Sequence, residues 1–227
     1  MGLTILWTTA PIPETGNSGN QTPMSPKPIE LPMQSPVTRS ELLDIAEYEK
    51  KRPSFREEVM AAKALRRVMV GQHFNFVFEN HVTVLYQIQE MMRVERIVEE
   101  SAIEHEVSTY NSLIPPAGGL SATLLIEYVD ATTRAENLPK LLGIENHVWL
   151  HVGALPPLAA EFEQSQIGEA RISSVQYVEF PLSEAHRAGW QEAAEAGTLK
   201  LVVDHPHYSE EAVISPEVAR ALAEDFS

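Results

Sequence analysis

The sequence predicts an α+β protein: a mainly antiparallel sheet with helices packed on one face, behind a disordered N-terminal leader. Three observations carry this. Strand-like segments alternate apolar and polar residues instead of running wholly apolar, as one-sided antiparallel strands do. Helical signals fall between them. Residues 1–36 hold seven of the sixteen prolines together with Gly, Ser, Asn and Thr, and show no periodicity, the composition of a flexible segment. The expected division is therefore a leader at 1–36 and one α+β domain at 37–227. Met24-Ser25-Pro26 is a candidate alternative translation start, one that would leave residues 1–23 untranslated.

Order is expected from Thr38. Thr38-Arg39-Ser40-Glu41 has the spacing of a capping box, predicting a helix through about Tyr48. Pro53 suits a first helical turn and opens a second helix to about Arg66. The period then changes to two. Phe74, Phe76 and Phe78 share a face, Glu79-Asn80 reads as a turn, and Val82, Val84 and Tyr86 read as the antiparallel return strand. A long helix is expected over Gln87 to about Val107. Asn111 to Gly119 is a loop by its Pro and Gly content. Strands follow at Ala122–Val129, Val148–Val152, Ser174–Phe180 and Thr198–Asp204. A short helix from Asp130 or Thr132 stops at Gly143, and residues 154–170 read mostly as loop. Ser183–Ala196 is a helix ended by Gly197. Ser215-Pro216-Glu217 opens the last one.

Composition limits the chemistry. Hydrophobic residues at 44% and charged residues at 22% are ordinary for a globular chain. The net charge of −15 argues against nucleic-acid and anionic-membrane partners, which need clustered Lys and Arg. There are no cysteines, which excludes disulfides, thiolate zinc sites and cysteine-ligated iron–sulfur clusters. A metal would have to be held by His, Asp or Glu, pointing to a divalent ion such as Fe, Mn or Zn. No apolar run reaches the roughly 18 residues of a membrane span, and the cytoplasm is the expected location.

Two features bear on a site. Extending the period of the strand before Asp204-His205-Pro206-His207-Tyr208 puts His205 and His207 on one face, where two imidazoles can chelate an ion. The alternative is a hydrogen-bonded turn. In the predicted 87–107 helix, Ile88, Met91, Val98 and Ala102 form an apolar stripe with Glu95 inside it and Glu99 one turn on. Glu90, Arg93, Arg96 and Glu100 fall on the solvent side. A carboxylate on an apolar face needs a partner, an ion or an arginine. His205, His207, Glu95 and Glu99 are the candidate metal ligands. His147 and His151 share a strand face with Trp149.

Tyr86–Ile97, Tyr110-Asn111-Ser112-Leu113-Ile114-Pro115 and the 204–208 segment together resemble an uncharacterised bacterial family, a domain of unknown function, from about Thr38 to the C-terminus. The resemblance implies a gene neighbourhood of rubrerythrin-like proteins and heterodisulfide-reductase-like iron–sulfur proteins. It assigns no active site. Two functions are weighed: a non-cluster metal-binding redox or oxidative-stress accessory protein, and a metal-free interaction or scaffold protein whose acidic surface meets a redox partner. A third is a metal-free hydrolytic or ligand-binding domain using Asp204 and His205 as an acid–base pair.

Overall fold

The computed structural model describes residues 34–168 and 170–226; residues 1–33 of the expected leader and the alternative start at Met24 lie outside them, while Ser35 O is already bonded to His81 Nδ1 at 2.7 Å. Six α-helices and nine strands follow the order α1 (Ile45–Ala64), β1 (Arg67–Val70), β2 (Phe74–Phe78), α2 (His81–Glu95), α3 (Glu100–Asn111), β3 (Leu120–Ile126), α4 (Ala131–Asn137), β4 (Val148–Val152), β5 (Leu158–Ala159), β6 (Glu161–Phe162), β7 (Val175–Phe180), α5 (Glu184–Glu195), β8 (Leu199–His205), β9 (Tyr208–Val213) and α6 (Pro216–Ala223).

The α+β class holds, and every strand pair is antiparallel. The sheet is divided in two, ordered β1-β2-β3-β7-β6 and β5-β4-β8-β9. The segment 158–162 joins them: the Ala160 N–H donates to Val148 O, while the Glu163 N–H donates to Tyr177 O. Phe74, Phe76, Phe78, Leu124 and Phe180 of the first sheet share one core with Leu150, Leu199 and Leu201 of the second, together with Trp190 of α5 and Leu222 of α6. The other face of the first sheet lies under α2 and α3, where Val84, Ile88, Met91, Ile103 and Tyr110 pack with Tyr177.

Three local expectations change. The Thr38 capping box closes only a short 3-10 turn; the helix starts after Asp44, whose carboxylate accepts the Glu47 N–H at 2.8 Å, and runs on through Pro53. Tyr48, Val59 and Lys63 bury its one face, so tertiary packing carries it past the proline. Next, the early hairpin turns at residues 71–73, where Gly71 has φ +63° and any Cβ would lie 2.4 Å from Tyr208 Oη. Asn80 is instead the N-cap of α2: its side chain accepts the Thr83 N–H at 3.1 Å, and Thr83 Oγ1 accepts the Asn80 N–H at 2.9 Å. Val82, Val84 and Tyr86 are therefore helical. Finally, the predicted 87–107 helix breaks. Arg96 adopts φ 54°, α2 stops, and α3 starts after Glu99. The strand β9 went unpredicted.

Arg66, 2% exposed, ties these layers. Its guanidinium donates to Phe78 O, Glu79 O and Ala221 O and pairs with the buried Asp225. It thereby links the end of α1, the β2–α2 corner and α6. Removing one partner of a buried, hydrogen-bonded ion pair strands the other. Arg66→Met is expected to lower the unfolding free energy by about 3–5 kcal/mol in urea titrations. Arg66→Met/Asp225→Leu should recover part of that loss, because no charge is then left unpaired.

Candidate functional site

His205 ends β8, Pro206-His207 form the two-residue turn, and Tyr208 opposite His205 opens β9. The two rings lie 5.8 Å apart between centroids. Both nitrogens of His205, 4% exposed, are engaged: Nε2 with Leu142 O at 3.2 Å, and Nδ1 accepting the His207 N–H at 3.2 Å. This fixes Nε2–H as the donor and makes the buried ring a latch of the hairpin. Asp204 points to the opposite face of the second sheet, where its Oδ1 accepts from His147 Nδ1 at 2.9 Å and from Trp149 Nε1 at 3.1 Å. Slight desolvation works against the Asp204 carboxylate, but these two donors outweigh it and hold its pKa below the usual range. Asp204 thus pairs with His147, not His205.

Glu95 and Glu99 are exposed at the α2–α3 corner, in the helical layer on the far side of the first sheet from the His205 hairpin. Glu95 is the last residue of α2 and Glu99 the N-cap of α3, so they share no helix face. Among the described residues no three His, Asp or Glu side chains form a group able to hold a metal ion. The inward-facing carboxylate of α2 is Glu90, expected on the solvent side. It accepts from Tyr48 at 2.7 Å and from Arg52 at 2.7 and 2.9 Å. Burial raises its pKa, but the Arg52 and Tyr48 bonds more than offset that and leave it lowered.

A different group of carboxylates meets at a cleft of about 360 Å³ beside β6 and β7, lined by Glu79, Glu161, Glu163, Glu179, Tyr177 and Phe162 among others. Register builds it. Glu161 stands directly across the strand pair from Glu179, and alternation brings Glu163 to the same side as Glu161. Like charges directly opposed in an antiparallel pair are destabilising. Burial first, and then repulsion from Glu161 and Glu163, raises the Glu179 pKa above the ordinary carboxylate range. Glu79, 1% exposed, ends the cleft: Thr83 Oγ1 donates to its Oε2 at 2.5 Å and Thr123 Oγ1 to its Oε1 at 2.7 Å. Lys63 lies buried nearby. Burial depresses its pKa to about 8 and the charge of Glu79 pulls the other way, while its ammonium sits 5.2 Å from the centre of the Tyr86 ring. The Tyr177 phenol is pushed up by burial and then by Tyr110 and Glu79.

The arrangement is a recess with a fixed, hydrogen-bonded carboxylate at its inner end and a repelling trio at its mouth. Such a trio is relieved by a bound cation. It is missed in the sequence because residues 154–170 read as loop, and the alternation of Glu161 and Glu163 by itself names neither Glu179 nor Glu79 as their neighbours.

A family described as "Protein of unknown function (DUF3501)" matches residues 36–226, and the chain belongs to it. No curated protein matches the chain. Among solved structures, it is similar to a novel protein of unknown function from Burkholderia pseudomallei K96243, at 36% identity with a TM-score of 0.77, over 85% of this chain and 100% of that one.

The Glu179 pKa is raised in the folded state, so the stability it contributes is present below the unfolded value and is lost as pH rises through the folded one. At neutral pH the charged trio therefore opposes folding. Glu179→Gln is expected to raise the melting temperature at pH 7.5, with the advantage shrinking as pH falls toward 4.5; differential scanning calorimetry across that range measures it.

Proposed function

We propose that this protein is a binding module whose acidic cleft receives a cationic side chain from a basic segment of a partner protein. The observation that supports this reading above others is the direct opposition of Glu161 and Glu179 across β6–β7 over a cleft floored by Glu79. That opposition lowers stability unless a cation lies between the carboxylates, and sites of function are where such stability is given up. Tyr177 lines the cleft on the same sheet face as Glu179, a ring of the kind beside which a guanidinium is favoured. The net charge of −15 would draw a basic partner from a distance and make association salt-sensitive. A redox protein of the rubrerythrin-like or iron–sulfur oxidoreductase kind is the first partner to test, being the gene neighbourhood that the resemblance implies.

The test is fluorescence anisotropy with a labelled arginine-containing hexapeptide and a neutral peptide of equal length. The arginine peptide should bind, and binding should weaken as salt rises. Glu161→Gln/Glu179→Gln should weaken it by about tenfold or more, roughly 1.4 kcal/mol. Glu136→Gln/Glu195→Gln makes the same charge change at two exposed residues away from the cleft and should leave it within about twofold. Equal losses from both double variants would mean general acidity, not the cleft, does the binding, and would overturn the reading.

A further inference from the structure

We propose that the acidic cleft also binds a free linear diamine or polyamine, held at two carboxylate stations. This rests on reading the cleft as a cation receptor and names a second class of ligand for it. Strand register sets the stations. The Glu79 N–H donates to Ser121 O at 2.9 Å, Ser121 stands opposite Glu179, and Glu179 stands opposite Glu161. One row across the sheet therefore reads Glu79, Ser121, Glu179 and Glu161. Residues directly opposed share a face of the sheet, and all four line the cleft. Neighbouring strands lie about 4.8 Å apart, so the Glu79 backbone is about 10 Å from that of Glu179. Glu79 is thus the inner station, and Glu179 with Glu161 forms the outer one.

The space between the stations suits methylenes. Ser121, midway along the row, donates its hydroxyl to Leu113 O, which brings Leu113 there as a buried part of the cleft wall. Among the described residues no Lys or Arg lines the cleft. Lys63, which feels the Glu79 charge, is not part of the wall and leaves the inner station open. Thr83 and Thr123 each occupy one site on the Glu79 carboxylate, and a carboxylate has about four, so sites remain for an ammonium. Tyr177 adds an unpaired hydroxyl. It is 8% exposed, lines the cleft, and its phenol makes no hydrogen bond among the described residues. Buried tyrosine hydroxyls ordinarily have a partner. Burial, then Tyr110 and Glu79, raise its pKa, so the hydroxyl stays neutral. Its oxygen can accept a hydrogen bond from an ammonium, and its ring attracts one. A lone ammonium or guanidinium neutralises one station, whereas a linear diamine brings a charge to each.

The test is isothermal titration calorimetry of the full chain at constant ionic strength with butylamine, putrescine and spermidine. Putrescine or spermidine should bind saturably and about tenfold tighter than butylamine, which has a single charge. It should also displace the labelled arginine hexapeptide, since both use Glu161 and Glu179. In Glu161→Gln/Glu179→Gln, checked as folded by circular dichroism, the advantage over butylamine should shrink to about twofold or less. Tyr177→Phe, which keeps the ring and removes the hydroxyl, should weaken diamine binding by about threefold or more. Glu136→Gln/Glu195→Gln, at exposed residues away from the cleft, should leave it within about twofold. Cleft-dependent peptide binding with no diamine advantage over butylamine would overturn this inference and leave the reading of the cleft intact. Diamine binding unchanged in the folded Glu161→Gln/Glu179→Gln variant would also overturn it. Diamine binding without peptide binding would support the two stations and overturn the protein partner, and loss of both would overturn both.

Discussion

The corner at Glu79 is the constraint from which the rest of the described structure follows. Here β2 ends, α2 begins, and a carboxylate is buried. Every polar group at the corner is used. The Glu79 N–H donates to Ser121 O, Glu79 O accepts from Arg66, and the carboxylate accepts hydrogen bonds from the hydroxyls of Thr83 and Thr123. A buried charge survives only when so satisfied. Because Thr83 also completes the cap of α2 with Asn80, one set of bonds fixes the helix start, the adjacent strand β3 and the end of the cleft. Arg66 then extends the same network to α6 through Ala221 and Asp225.

The acidic cleft follows from how the second half of the chain is routed. Residues 158–162 leave the second sheet and enter the first, setting Glu161 against Glu179. The chain then loops out through 166–174 before returning as β7.

Much of the architecture was legible in the sequence because it is written in local periods. Alternation predicted strands near β3, β4, β7 and β8, the Gly197 stop marked the end of α5, and the Ser215 cap predicted α6. Where the reading failed, a competing local rule won. Val82, Val84 and Tyr86 alternate, but they also belong to a helical set with Ile88 and Met91, and the Asn80 cap decides between the two. The stripe that placed Glu95 inward assumed a helix continuous past residue 95; Arg96 in the left-handed region ends it, leaving Glu95 exposed and Glu90 buried. His205 and His207 were phased as one strand, but the strand stops at His205, and the turn puts His207 out. The acidic cleft was beyond local reading altogether. Glu161 and Glu179 meet only through strand register, and Glu79 joins them through tertiary packing, so no spacing along the chain encodes the group.

The central claim is that a cation is received at one place on an acidic molecule. A ¹H–¹⁵N correlation spectrum recorded during titration with the arginine hexapeptide tests it most directly. The account predicts saturable shifts concentrated at Glu161–Glu163 and Tyr177–Glu179, with small ones along β9, where Glu210 and Glu211 are adjacent exposed carboxylates outside the cleft. Shifts of similar size at β9 and the cleft, or none at the cleft, would contradict it.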